Sequence, residues 1–175
     1  LKIDRHCYEG RTYEDFMRFI ADNPDVPVVQ TDSVIGNKSG KVLLTMFSQN
    51  TNLLLAFLRD HNTARSVLDV FNDLYAMFGR ETYCRLFPVI LTDRDSEFSN
   101  PVPIEQDEND ELRSLVFYCN PSAPYQKGGI EVAHELVRRV LPKGKSFDDL
   151  QQEDIDLMLS HINSYKRGNL NSRSA

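Results

Sequence analysis

Between residues 28 and 59 the chain carries three strand-like runs, 28–35, 41–48 and 52–59. Only two short segments separate them, 36–40 and 49–51, both rich in Gly, Asn, Ser or Thr. A crossover to a parallel neighbour needs a dozen or more residues. The spacing therefore predicts a three-stranded antiparallel meander. The period then changes from two to that of a helix over 63–78, where Val67, Phe71, Leu74 and Phe78 share a face and Gly79 stands at the expected C-cap. The apolar run 86–91 ends in Thr92-Asp93 and reads as a buried strand. A second strand is expected near 115–118. Helices are expected from about Gly129 to Leu141, stopped by Pro142-Lys-Gly144, and over 149–164, with Leu150, Ile155, Met158, Leu159 and Ile162 as its apolar set. Upstream, Thr12 to Asp15 forms a capping-box pattern ahead of Phe16, Phe19 and Ile20, and the segment NPDVP at 23–27 ends that helix. The expectation is an α/β domain with a mixed sheet over 28–175, preceded by a helical linker segment over 1–27.

Composition removes several function classes. Hydrophobic residues make up 41% and charged residues 26% of the 175, too apolar for general disorder. The longest unbroken apolar stretch, 53–58, is far too short for a bilayer-spanning helix. Cys7, Cys84 and Cys119 are odd in number and widely spaced, which speaks against a disulfide framework or a structural zinc site and for a reducing, cytoplasmic setting. The first residues, Leu-Lys-Ile-Asp-Arg, lack an initiator Met and a signal-peptide pattern, and the chain reads as a piece of something longer. The net charge of −6 opposes a simple electrostatic nucleic-acid binder. Its distribution is uneven, however. Residues 105–111 (EQDENDE) hold only acids among their charges and read as a solvated loop, whereas 123–145 hold Lys127, Arg138, Arg139, Lys143 and Lys145 against Glu131 and Glu135.

Three carboxylates stand out by position. Asp32 interrupts the strand-like run VVQTDSVI, Asp93 sits at the tip of LFPVILTD, and Glu131 lies in the first turn of a helix rich in bases. A lone Asp or Glu ordinarily faces solvent or pairs with a base. A carboxylate inside a strand needs neutralisation, and Mg²⁺ or Mn²⁺ with their preference for oxygen ligands supply it. On the 129–141 helix, Glu131, His134, Glu135 and Arg138 follow helical spacing and share one face, opposite Ala133, Leu136, Val137, Val140 and Leu141. Before it, Gln126-Lys127-Gly128-Gly129 offers a cation and free backbone N–H groups to a phosphate, and Tyr125 offers a ring to a base. Each of these has a plain reading as a loop or a solvated helix face.

The local wording goes further than spacing. TDSVIG around Asp32, LTDRDSEFSNP around Asp93 and YCNPSAPYQKGGIEVAHELVRRVLPKG around Glu131 resemble the DDE transposases of bacterial insertion sequences, in particular the IS thirty family, which share the integrase catalytic core. The resemblance runs from GRTYEDF at Gly10 to HINSYKR, and 125–144 is its most specific part. It implies a ribonuclease-H-like fold, a mixed five-stranded sheet flanked by helices, with Asp32, Asp93 and Glu131 as a catalytic trio holding two Mg²⁺ or Mn²⁺ ions. It further implies hydrolysis of a phosphodiester at the element's ends and strand transfer into target DNA. Tyr125, Lys127, His134 and Arg138 would contact that DNA. The resemblance also implies a homo-oligomer on DNA in the bacterial nucleoid, with neither a membrane nor a small-molecule substrate. Three positions depart from the family's wording. Asp95 stands where Gly is usual, Asn120 where Asp is frequent, and His134 where Asn is more common. Asp95, two residues from Asp93, keeps open a second reading, a catalytically silent core that binds DNA or self-associates. The 125–144 wording disfavours a nuclease of RNA–DNA hybrids.

Overall fold

The computed structural model describes residues 5–165. The elements run α1 (Tyr13–Asp22), β1 (Val28–Ile35), β2 (Val42–Ser48), β3 (Leu54–Arg59), α2 (Ala64–Phe78), α3 (Arg80–Leu86), β4 (Val89–Thr92), α4 (Val102–Glu105), β5 (Leu115–Tyr118), α5 (Gly128–Val140) and α6 (Gln152–Asn163). They form one five-stranded sheet in the order β3-β2-β1-β4-β5. The meander pairs antiparallel, and β1–β4 and β4–β5 pair parallel. This is the mixed sheet of a ribonuclease-H-like fold. No helix among the described residues is long and apolar enough to cross a membrane.

Strand alternation sorts the side chains into two faces. Val34, Leu43 and Phe47 pack with Ile130, Ala133 and Val137 of α5 and with Ile155 and Met158 of α6. Val29, Leu44 and Met46 point the other way, onto Val67, Phe71 and Leu74 of α2 and Tyr83 of α3. On β1, Gln30 and Asp32 therefore share the α5 face with Val34, while Ser33 faces α2. Moving β1 by one residue would turn Asp32 away from α5, so the apolar pattern also fixes the carboxylate.

The described part of the 1–27 segment is tied into this body. Phe16 of α1 is buried with Val28, Val89, Leu91 and Phe117, and Arg11 O accepts from Tyr118 N at 2.8 Å. The Thr12/Asp15 capping box forms as expected. At the other edge, α6 covers β3 with side-chain amides. Asn163 accepts from Leu54 N and donates to Leu54 O, and Gln152 accepts from Leu58 N and donates to Ala56 O. These bonds satisfy backbone groups that an edge strand would leave open.

Three expectations are corrected here. Leu86 closes helix α3 instead of opening a strand, because Tyr83 and Phe87 turn this segment into part of the α2-side core. Phe78, placed on the buried face of its helix, is 37% exposed. The acidic run 105–111 is only partly solvated. Glu105 is buried in a two-pronged pair with Arg11 (2.8 and 2.6 Å), and Asp107 binds Tyr75 Oη at 2.8 Å and Arg80 at 3.0 Å. Cys84 and Cys119 are free thiols, and burial pushes the Cys119 thiol up to about 12.

Candidate functional site

The parallel register of β1 and β4 pairs Val28 with Val89, Val29 with Ile90 and Gln30 with Leu91. Continued two residues, it sets Asp32, within β1, beside Asp93, the residue that follows the carboxyl end of β4, where α/β sheets place their ligands. Both carboxylates turn to the same face and meet one cation. Lys127 Nζ lies 3.1 Å from Asp32 Oδ2 and 2.8 Å from Asp93 Oδ2. The two oxygens are therefore within about 6 Å of each other, and Thr31 O takes the third ammonium proton at 3.1 Å. The lysine side chain is 0% exposed, that of Asp32 15% and that of Asp93 36%. Burial alone pulls the ammonium's pKa down, but Asp32 and then Asp93 outweigh it and the net shift is upward.

Helix α5 is pinned over these strands by its first turn. Ile130 N donates to Gln30 Oε1 at 2.8 Å, a bond that satisfies one of the helix's open N–H groups from the neighbouring strand. Gly129 permits that approach, since a Cβ there would stand 2.4 Å from the Phe47 ring. Glu131 follows one residue on. Its carboxyl is pushed upward by burial first and by Asp32 and Asp93 after that, with Lys127 pulling the other way. Glu131 and Asp93 line a cleft of about 410 Å³ together with Arg94, Asp95, Asn120 and Pro124.

The sequence-derived DNA contacts are placed differently from one another. Tyr125 is 79% exposed, with its ring free to stack. Lys127, expected to face a phosphate, is instead the buried clamp between the two aspartates. A fully enclosed lysine needs counter-charge, and Asp32 and Asp93 provide it. The face shared by Glu131, His134 and Arg138 lies along β1 and β2 and does not point outward to solvent. Thr45 Oγ1 donates to Asp32 O at 3.0 Å, so its single proton is used. The 2.7 Å contact with His134 Nε2 then assigns the ring's Nε2–H as donor to Thr45. Burial pushes His134 down to about 4. Arg138 donates to Ile35 O at 3.0 Å and Leu141 O at 3.4 Å, and burial lowers its pKa.

Asp95 is not strained. Its φ of −72° and ψ of 154° are ordinary extended values, so the Gly expected there is not required by the backbone. Burial, then Glu97 and Asp93, push its carboxyl upward. Asn120 donates to Glu14 Oε1 at 3.1 Å, and its N–H donates to Gln126 Oε1 at 2.7 Å.

One supporting network has no clear signature in the sequence. Arg59, at the end of β3, is 4% exposed and bonds Ser66 Oγ (2.8 Å), Ser33 Oγ (3.0 Å) and Asn62 Oδ1 (3.0 Å). Asn62 in turn donates to the buried Glu97 at 3.1 Å. Burial draws the guanidinium down to about 10. A strand-terminal Arg ordinarily reads as surface, and nothing in its spacing marked it as the brace behind residue 33.

The residues suit a divalent cation in part. Two carboxylates and a main-chain carbonyl already converge on a cation, and the ammonium stands in for it. Among the described residues, no three His, Cys, Asp or Glu side chains are grouped tightly enough to hold a metal ion as they stand. The fit thus extends to the Asp32–Asp93 pair, with Glu131 nearby but not closed onto it.

No protein-family model matches the chain. It is 28% identical over 143 residues to the protein named "Putative integrase ORF3" of Spiroplasma virus SpV1-R8A2 B, a match covering 82% of this chain and 42% of that protein. It is 22% identical over 142 residues to the transposase for insertion sequence element IS4351 of Bacteroides fragilis, covering 81% and 41%. A 59-residue match at 36% identity to the transposase for IS1086 of Cupriavidus metallidurans covers 34% of this chain and 17% of the relative. The chain therefore spans less than half the length of these relatives. Among solved structures, a chain in the cryo-EM structure of the simian T-cell lymphotropic virus intasome with PP2A regulatory subunit B56 gamma superposes with a TM-score of 0.53. That match has 14% identity and covers 79% of this chain and 48% of the other. Integrases and transposases are thus what this chain is similar to in sequence, and an intasome chain is what it is similar to in fold.

Proposed function

We propose that this chain is the catalytic core of a DNA transposase, with Asp32, Asp93 and Glu131 as its catalytic carboxylates and the wording at 125–144 placing it in the IS thirty family. The observation that carries the reading is the meeting on one cation position of Asp32, within β1, and Asp93, just past the end of the adjacent parallel strand β4. Relatives named integrase and transposase support it. Asp32 and Asp93 would hold Mg²⁺ or Mn²⁺, and Glu131 would complete a two-ion site by closing over them from α5. Bound there, the ions supply activation of a water or 3′-hydroxyl and charge stabilisation at the phosphodiester. The chain's own residues fix the reacting phosphate. Tyr125 stacks on a base beside the cleft, and the α5 N-terminus faces it with backbone N–H groups. Arg138 holds the far end of α5 to β1, and His134 holds its middle to β2. The substrate is DNA, both element ends and target, engaged by a homo-oligomer of the whole protein.

Mg²⁺-dependent nicking of duplex DNA tests this, with Asp32→Asn, Asp93→Asn and Glu131→Gln as comparisons. The reading expects each variant to lose at least about a thousandfold, the scale on which a transition-state electrostatic group acts. Nicking that survives all three substitutions would refute it. One observation favours a second reading, the silent core: the ammonium already fills the cation position. Absence of nicking by the longer protein, with DNA binding retained, would select that reading.

A further inference from the structure

We infer that Lys127 is a built-in counter-ion that neutralises the metal-free site, and that a divalent cation loads by exchanging with its ammonium. The inference rests on the metal-site reading above and adds a residue and an order of events to it.

The three protons of the ammonium meet three oxygens, Asp32 Oδ2 at 3.1 Å, Asp93 Oδ2 at 2.8 Å and Thr31 O at 3.1 Å. Two carboxylates and a carbonyl are also a donor set that a hard divalent cation takes. Ammonium and metal therefore compete for the same oxygens. Nitrogen–oxygen contacts of this kind are longer by ~1 Å than the Mg–O bonds of about 2.0–2.1 Å. Exchange consequently draws the carboxylates inward, and the Glu131 carboxyl, already crowded by Asp32 and Asp93, gains a partner of higher charge.

The charge balance runs the same way. One positive charge faces two aspartates, with Glu131 and Asp95 adjoining, and the surplus is negative. Without Lys127 the two carboxylates would repel across a gap with no proton or ion between them. The lysine thus offsets that repulsion until the doubly charged ion arrives. Its backbone sits outside α5, at φ −121° and ψ 41°, with Gly128 next in sequence and no atom within 4 Å of where that glycine's Cβ would stand. The side chain can leave by bond rotation while Ile130 N stays on Gln30. Asp93, the more exposed of the two partners, opens onto the cleft that would receive the displaced ammonium.

Calorimetric titration of the chain with Mn²⁺, beside Lys127→Met and Asp93→Asn, tests the exchange. Removing the competing cation should tighten Mn²⁺ binding by at least about tenfold, a conservative share of what an unpaired buried charge costs. Asp93→Asn should abolish it. A second readout needs no variant. In the wild-type chain, mass spectrometry follows acetylation of Lys127 by acetic anhydride, which the enclosed ammonium should resist without metal and accept at least about tenfold faster with saturating Mn²⁺. Mn²⁺ binding that depends on Asp93 but is unchanged or weaker in Lys127→Met, or a Lys127 still protected with Mn²⁺ bound, overturns the exchange and leaves the metal site standing. No Mn²⁺ binding by either wild type or Lys127→Met overturns both.

Discussion

Two neighbouring glycines at the start of α5 should respond to the same substitution with opposite signs. At Gly129 an added Cβ would lie 2.4 and 2.8 Å from Phe47 ring carbons and 3.2 Å from Gln30 Oε1. Carbon contacts settle near 3.5–4.0 Å, so either the ring or the helix must yield by about 1 Å. Phe47 is 5% exposed and wedged among Val34, Leu43 and Ile130, which leaves the helix to move. Overpacking of this kind costs ~1–3 kcal/mol. A 1 Å lift also breaks the 2.8 Å bond from Ile130 N to Gln30, which adds about 1 kcal/mol. Gly128 has nothing within 4 Å of its Cβ position and helical angles of φ −54° and ψ −30°. There Ala removes backbone freedom from the unfolded chain and should stabilise by ~0.4–1 kcal/mol. Urea unfolding at neutral pH reads both, provided the slopes agree. Gly129→Ala should fall by ~2–4 kcal/mol while Gly128→Ala rises. The same lift moves Lys127 off Asp32 and Asp93 and Glu131 farther from them, and a 1 Å misplacement should slow DNA nicking by about a hundredfold. A Gly129→Ala chain within about 0.5 kcal/mol of wild type would refute the account of how α5 is seated.

Other perturbations test the supporting parts. Glu105→Ala strands Arg11 and leaves Val116 N, now bonded to Glu105 Oε1 at 3.1 Å, without an acceptor; urea unfolding should show a loss of ~2–4 kcal/mol, with Glu105→Gln losing about half. His134, held at about 4 when folded, binds its proton first in the unfolded chain. Its contribution is therefore complete above about pH 6.5 and declines as pH falls toward 4. Between pH 7 and 4.5 the wild type should lose on the order of 2–3 kcal/mol more than His134→Gln by urea unfolding, and equal losses would contradict a buried, neutral imidazole at His134. Arg59→Met keeps the bulk but leaves Ser33, Ser66 and Asn62 without their shared donor. Thermal unfolding should register a net cost of about 1–3 kcal/mol, and a more stable variant would show that the buried guanidinium is no brace.

The sequence carried the sheet because its signals were local. Short turns between 28 and 59 forced the meander, and VVQTDSVI carries Gln30, Asp32 and Val34 at alternate positions, so strand period alone put them on one face. Thr12 and Asp15 announced α1 through a cap that involves only near neighbours. Long-range pairing was where sequence reading fell short. Glu105 sat in an acidic run that looked solvated, and only the fold brings Arg11 to it from 94 residues away. Lys127 read as a phosphate contact because a lysine ahead of a helix ordinarily is exposed. Its burial follows from α5 settling onto β1 through Gly129 and Gln30, which no window of sequence displays. The face of α5 bearing His134 and Arg138 looked solvent-directed by periodicity, yet the carbonyl of Ile35 and the hydroxyl of Thr45 draw it onto the sheet.

The central claim is that the Asp32–Asp93 pair is a divalent-cation site. Crystals of the wild-type chain and of Asp93→Asn soaked in Mn²⁺, with the ion located by anomalous scattering, test it most directly. The account predicts a peak between Asp32 and Asp93 within about 2.3 Å of both carboxylates, Lys127 swung aside, and no peak in Asp93→Asn. A peak elsewhere that survives the substitution, or a saturated soak with Lys127 still seated between the two aspartates, would contradict it.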